Sequence, residues 1–316
     1  LAATRDETRA HRSTLTQAGL VTEVAALRQQ LDPSLWTSSF SAFSRARAYR
    51  LHEELLAPLK DLMRKTNSLI VMTQGPLASL PFATLVTRPV LESDLADGSP
   101  GPLRETAWLI RTHAITSSPS LSSFLAQRTR KLSARAGTWN IVGIGAPRTA
   151  PRLRLQPLPQ APAELAALKP LGTTKLLQGA MATERAFKAL DLTAIDVISF
   201  VTHTVPIPVT PGQLALALSE PAQPDEEDDG LLTGPEIARL RLGPAWVILS
   251  ACNTAGDGAA ATGLLAQSFF QSGASAVLHS HWPVFDRHAG AIATGAIANF
   301  RKSPQEGQAA ALRKAM

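Results

Sequence analysis

Residues 245–258 read AWVILSACNTAGDG: a run of large apolar residues, Trp246-Val247-Ile248-Leu249, stops at Ser250-Ala251-Cys252 and breaks into an Asn253-Thr254-Ala255-Gly256 turn. A short, continuous apolar run bounded by turn residues reads as a strand buried on both faces. Trp139 to Ile144 (WNIVGI), Asp196 to Phe200 (DVISF) and Ala276 to Ser280 have the same character, and Lys175 to Leu177 and Leu214 to Leu218 add shorter strands. Helical patterns fall between them, from Glu164, Thr183, Gly263 to Gln271, and after Pro283, with Thr233-Gly234-Pro235-Glu236 opening another as a capping box. This alternation predicts an α/β fold with a mostly parallel sheet covered by helices on both faces. The carboxyl ends of parallel strands share one edge, where such proteins place their chemistry, and the chain's single cysteine, Cys252, falls there.

DVISFVTH ends in His203, which precedes Cys252 by 49 positions (252 − 203). If the two strands are neighbours, about 4.8 Å apart, imidazole and thiol emerge side by side. The spacing is close to that of the upstream histidine in the caspase signature. An imidazole within hydrogen-bond reach takes the thiol proton or stabilises the thiolate, making Cys252 a nucleophile at neutral pH. The backbone N–H groups of Cys252 and Thr204 are then natural oxyanion donors. A carboxylate third member is not evident and not required, since a buried backbone carbonyl can orient the ring. Spacing alone leaves the plainer alternative open: a cysteine at a strand end as a small buried hydrophobe, and a histidine satisfied in the core.

Composition narrows the classes. A chain of 316 residues with 45% hydrophobic and 18% charged content buries a sizeable core and has no apolar run of membrane-spanning length. Its start, LAATRDETRAHRS, has neither a signal peptide's apolar core nor an initiator Met, so the expectation is a piece of a longer chain. One cysteine forms no internal disulfide, which fits a cytoplasmic location. The seven histidines form no metal-ligand cluster beyond His279-x-His281, whose side chains share a face of a strand and read first as packing or pocket lining; no metal or cofactor is expected. The net charge of +6 is spread over mild clusters at Arg45 to Arg50, Arg128 to Arg135 and Arg148 to Arg154, and aromatics are only 5%, which speaks against nucleic acid.

Ahead of the sheet, residues 1 to about 35 are polar with a helical pattern. Ser44 to Met63 reads as an amphipathic helix interrupted by Pro58, Ser68 to Met72 as a buried strand, and Trp108 to Thr116 as a strand. Gly75 to Leu85 is a packing element and lacks the Gly-Lys-Ser/Thr ending of a phosphate loop. The Pro-rich run Pro147 to Pro162 reads as a linker or surface loop, and the acidic stretch 225–229 as solvated.

The ordered set GPLASLPFATL (75–85), SFVTHT (199–204), DGLLTGPEIARL (229–240), WVILSACNTAGDG (246–258), GLLAQSFFQSGASAVL (263–278) and HWPVFD (281–286) resembles the CHAT domain from about residue 44 to the end. This is a caspase-like cysteine peptidase module, related to separase and often carried behind tetratricopeptide repeats. The resemblance implies a caspase-like sheet with an additional amino-terminal lobe. It assigns 1–43 to a peripheral segment or the tail of a preceding repeat domain, 44–136 to the amino-terminal lobe and 137–316 to the catalytic lobe. His203 matches the catalytic histidine, Cys252 the nucleophile, and Asp286 an acidic position that in separase-like relatives faces the residue before the scissile bond, favouring Arg or Lys. The rival reading of Asp286 is a carboxylate at a helix N-terminus, neutralised by Arg287.

The implied activity is endopeptidase cleavage of a partner protein after a basic residue, under an upstream sensor. Gasdermin-like substrates and an immune or cell-death role come by resemblance. Departures are Thr204, where the family usually has Gly, the stiff Val205-Pro206-Ile207-Pro208 that follows, and His279 and His281 in place of small residues. If Thr204 narrows the oxyanion site, the alternative is a catalytically impaired caspase-fold interaction module.

Overall fold

A computed structural model describes residues 1–31, 43–90, 101–128, 138–207, 210, 212–250, 258–282, 284 and 286–316, with backbone alone at 101–102, 258–262 and 286–287. The chain divides into two compact units, Leu1–Leu121 and Ser122–Met316.

The first unit opens with a small antiparallel pair, β1 (Ala2–Ala3) and β2 (Thr8–Arg9), followed by α1 (Gln17–Leu31) and α2 (Arg45–Leu55). Ser44 caps α2, its hydroxyl accepting from the Arg47 N–H. Pro58 ends the helical run as expected: a single 3-10 turn, Ala57–Leu59, separates α2 from α3 (Lys60–Met63). Then come β3 (Ser68–Val71), α4 (Gly101–Glu105), α5 (Leu109–Thr112) and β4 (Ala114–Ser117). Val24 and Leu27 of α1, Ala48 and Leu51 of α2, and Leu80, Leu85 and Leu109 form this unit's core.

Two expectations fail in this unit. SLIVM is not buried: β3 pairs in parallel with β4 alone, Leu69 and Val71 face the core, and Ile70 is 47% exposed. Trp108 to Thr116 is not one strand either. The Leu109 N–H donates to Leu85 O, and the Trp108 indole donates to Leu103 O, which draws the first half into α5; only the second half extends as β4.

Glu54, near the end of α2, accepts from the Ser13 hydroxyl at 2.7 Å and from the backbone N–H groups of Thr14 and Leu15, tying the amino-terminal segment to the helix. Those donors, the Ser13 hydroxyl first, hold its carboxyl down at about 2. A depressed carboxylate contributes stability above its ordinary value of 4.5 and loses it as pH falls through that value toward about 2. Glu54→Gln is therefore expected to expose the Thr14 and Leu15 amides to hydrogen exchange at neutral pH. The difference from wild type closes as pH drops toward 2, and a difference that stays constant with pH contradicts the assignment.

The boundary between the units falls at the start of α6 (Leu121–Arg128). The second unit continues with β5 (Asn140–Pro147), α7 (Ala161–Ala167), β6 (Thr173–Gly179), α8 (Glu184–Lys188), β7 (Val197–Val201), β8 (Thr204–Pro206), β9 (Leu214–Ala217) and β10 (Leu231–Thr233). α9 (Gly234–Arg239), β11 (Trp246–Ser250), α10 (Gly258–Ser272), β12 (Ala276–His279), α11 (Asp286–Lys302) and α12 (Gln308–Ala315) complete it. The predicted sheet is present: five parallel strands in the order β12-β11-β7-β5-β6.

Side-chain alternation feeds two cores. One face carries Ile198 and Phe200 of β7 with Phe187 and Phe269 from the helices, the Phe200 ring 5.2 Å from Phe187 and 5.6 Å from Phe269. The other carries Trp139, Val197, Val201 and Trp246 against Leu165 of α7 and Phe300 of α11. Leu214 to Leu218 does form a strand, but in a separate antiparallel sheet ordered β10-β9-β8.

Sequence order along the main sheet reverses at β5, with β6 on one side and β7 on the other, so the crevice outside the β5 and β7 carboxyl ends is where such folds bind ligands. Gly145 permits the close approach of these two strands: a Cβ there would stand 2.3 Å from Val201 O. Gly145→Ala is expected to cost about 1–3 kcal/mol as overpacking, read as a lower denaturant midpoint. An unchanged midpoint would show that β5 and β7 part freely here.

Candidate functional site

β7 and β11 are neighbours in parallel register, from Trp246↔Val197 to Ser250↔Val201. His203 and Cys252 each stand two residues beyond that last pair in sequence. Cys252 itself, with the rest of 251–257, lies outside the described residues.

His203 is 7% exposed, and its Nε2 lies 2.7 Å from the Gln156 carbonyl oxygen. A carbonyl only accepts, so Nε2 carries a proton, and the neutral tautomer compatible with this bond has its lone pair on Nδ1. Nδ1 is buried and has no hydrogen-bond partner among the described residues. The ring is thus fixed through Nε2 by a main-chain acceptor.

Gln156 lies in the Pro-rich stretch expected to be a linker or surface loop: residues 151–160 are half-buried or exposed, as a surface loop is, while Ala150 and Ala161 are buried at its ends, Pro151–Leu153 forms a 3-10 turn, and the Gln156 carbonyl holds the histidine. Among the described residues the non-glycine positions with positive φ are Ala146 (45°), at the register shift near the end of β5, and Arg154 (48°), on the β5–α7 connection. Backbone strain of this kind costs about 1–3 kcal/mol per residue and is held at sites where geometry matters.

Thr204 begins β8, an edge strand paired antiparallel with β9 in the register Thr204↔Leu216. The Ala217 N–H donates to His203 O at 2.9 Å, so 203↔217 is a hydrogen-bonded pair and 204↔216 is not. The Thr204 N–H therefore points away from β9, at the open edge of that sheet. Its φ is not positive, so this backbone makes no demand for glycine. Pro206 is accommodated for the same reason, falling at a position of the edge strand that owes the ladder no N–H.

Residues 45–316 match the CHAT domain family. The chain belongs to the CHAT domain family. The CHAT domain is related to the caspase-like cysteine peptidases. No curated protein matches the chain.

In this CHAT domain Asp286 is the first residue of α11, and its side chain lies outside those described. His279 and His281 project from the end of β12 with ring centroids 5.6 Å apart. His279 donates from Nδ1 to Ser280 O at 3.1 Å, and burial pushes its pKa below the ordinary imidazole value. Among the described residues no cluster of three or more His, Cys, Asp or Glu can hold a metal, and no helix is long and apolar enough to cross a membrane.

The acidic stretch is not simply solvated. Glu184 of α8, wholly buried, accepts at Oε1 from the N–H groups of Asp229, Gly230 and Leu231, at 3.1, 2.9 and 3.1 Å. Lys188 Nζ bridges Glu184 and Glu236 at 2.8 Å each, while Arg185 pairs with Asp225 and with the buried Asp228. Burial, reinforced by Glu236 and opposed by Lys188, pushes Glu184 up to about 7. Burial also acts on Glu236, but Lys188 and Thr233 outweigh it and hold that carboxyl low. The Thr233 N–H and hydroxyl both donate to Glu236 in the expected capping box. Nothing in the sequence pattern distinguishes Glu184 from a solvated glutamate at a helix start; its clue was the acidic loop having a basic pair, Arg185 and Lys188, to answer it.

Proposed function

We propose that this CHAT domain is a cysteine endopeptidase with a caspase-like sheet. In this reading the Cys252 thiol gives its proton to His203 Nδ1 and the thiolate attacks a peptide carbonyl. The N–H groups of Thr204 and Cys252 receive the oxyanion. His203 returns the proton to the leaving amine, and water hydrolyses the acyl-enzyme. The observation that carries the reading is the Nε2–H to Gln156 carbonyl bond, which supports a free Nδ1 lone pair beside the strand leading to the only cysteine.

Asp286 is proposed to pair with a basic residue before the scissile bond, residues 44–136 to form the amino-terminal lobe and 137–316 the catalytic lobe. The substrate is proposed to be a cytoplasmic partner protein, gasdermin-like pore formers among the candidates, cut under control of an upstream sensor or repeat domain in an immune or cell-death response.

The test is labelling with a peptidyl arginine chloromethyl ketone. Wild type is expected to label rapidly and Cys252→Ala not at all. Equal labelling of the two proteins sinks the peptidase and leaves a CHAT-fold interaction module.

A further inference from the structure

Ser219 stands two residues beyond the end of β9 and is 1% exposed. Its hydroxyl donates to Gly179 O at 2.6 Å and accepts from the Arg148 N–H at 2.9 Å, while its own N–H donates to Ala182 O at 2.9 Å. Three segments meet at this one buried serine: the end of β5, the turn after β6 and the end of β9. A hydroxyl occupied both as donor and as acceptor is fixed in direction as well as in place.

Two paths lead from Ser219 to His203. The first runs back along β9: Ala217 donates its N–H to His203 O at 2.9 Å and accepts from the Thr202 hydroxyl, so this strand grips the histidine's main chain. The second runs along the connection from Arg148 to Gln156, whose carbonyl accepts from the ring. Main chain and ring of His203 are thus tied back to the same side chain.

The connection is held along its length. Ala146 and Arg154, the two left-handed non-glycine residues, stand just before Arg148 and just before Leu155-Gln156. Leu153 and Leu155 pack against Val205, Ala215 and Ala217 of the small sheet. Arg152 reaches Glu220 Oε1 at 2.8 Å and Asp229 O at 3.2 Å, but its side chain is 49% exposed, and an exposed ion pair contributes little. Ser219 is the polar anchor of this connection that lies out of solvent.

We infer that Ser219 is a positioning residue for His203: it sets where the Arg148–Gln156 connection leaves β5, and so where the Gln156 carbonyl meets the ring. The inference rests on the endopeptidase reading, in which the ring keeps one nitrogen on Gln156 and turns the other to Cys252. Ser219→Ala leaves Gly179 O to the Ala182 N–H but takes the acceptor from the Arg148 N–H. Arg148→Pro deletes the same bond from the donor side and leaves the serine in place.

The experiment is a double-mutant cycle on turnover of an arginine peptide by the full chain. Alongside it, solvent exchange of the His203 ring N–H is followed by NMR in imidazole-labelled protein, the signal being assigned by its loss in His203→Ala. Each single variant is expected to lower kcat about tenfold with KM unchanged, the upper worth of one hydrogen bond, and to speed exchange of the ring N–H by a similar factor. The double variant is expected to match the singles, because both remove one bond. Losses that add, full activity in either single variant, or a fall in kcat with ring exchange unchanged each overturn the inference. Where Ser219→Ala does not fold, Arg148→Pro carries the kcat and exchange tests by itself. A wild type without Cys252-dependent turnover overturns the endopeptidase reading, whereas ring exchange that is the same in wild type and in both variants overturns the tether itself.

Discussion

Glu184→Ala lowers the unfolding free energy of this CHAT domain by about 3–5 kcal/mol, the cost of breaking a buried, paired charge. The carboxylate is fully buried and serves two sets of donors at once: three consecutive amides at the end of the acidic loop, and the Lys188 ammonium. Its removal takes the acceptor from the Asp229 and Gly230 amides, leaves the Leu231 amide to the Asp229 carboxylate, and leaves Lys188 to Glu236 and the Glu227 carbonyl. Glu184→Gln keeps an oxygen for the amides but turns an NH2 group toward Lys188, so it is expected to cost less. Urea unfolding followed by tryptophan fluorescence measures both, since Trp139 and Trp246 lie in this unit's core. A loss below about 1 kcal/mol for the alanine variant would mean that the loop does not depend on this carboxylate.

His203→Ala is expected to lower kcat/KM on an arginine peptide by about 10²–10⁴-fold, the usual worth of a positioned general base and acid. The loss falls on kcat, because the ring is assigned to proton transfer and not to holding substrate. His203→Gln is expected to rescue little: an amide can donate to Gln156 O in place of Nε2–H, but it offers no basic nitrogen where Nδ1 stands. A fall of less than tenfold in either variant would remove His203 from the reaction.

The parallel sheet was legible because its strands are written in the plainest code a sequence has. WVILS and VISFV are apolar throughout, as strands buried on two faces must be, and every residue of both is buried. That β7 and β11 are neighbours, the condition on which the pairing of His203 with Cys252 rests, is not written in either run and comes from the strand pairing.

What was hidden has no side-chain signature. Gln156 acts through its carbonyl, which every residue possesses, and sits in a Pro-rich surface loop. Glu184 looks like any glutamate at the start of a helix until three amides converge on it. Trp108 to Thr116 misled because burial of Leu109 against Leu85 overrides the strand preference of its neighbours. The direction of the Thr204 N–H follows from the ladder parity of β8 and β9, which is set by pairing and not by residue type.

The central claim is that His203 and Cys252 work as a pair, and the chain's single cysteine makes it directly measurable. Iodoacetamide alkylation, followed against pH in wild type and in His203→Ala, reads the thiolate of Cys252 alone. The pairing predicts a wild-type reactivity midpoint well below the free-thiol value of about 8.5, and a return to about 8.5 without the imidazole. Superimposable profiles for the two proteins would contradict it.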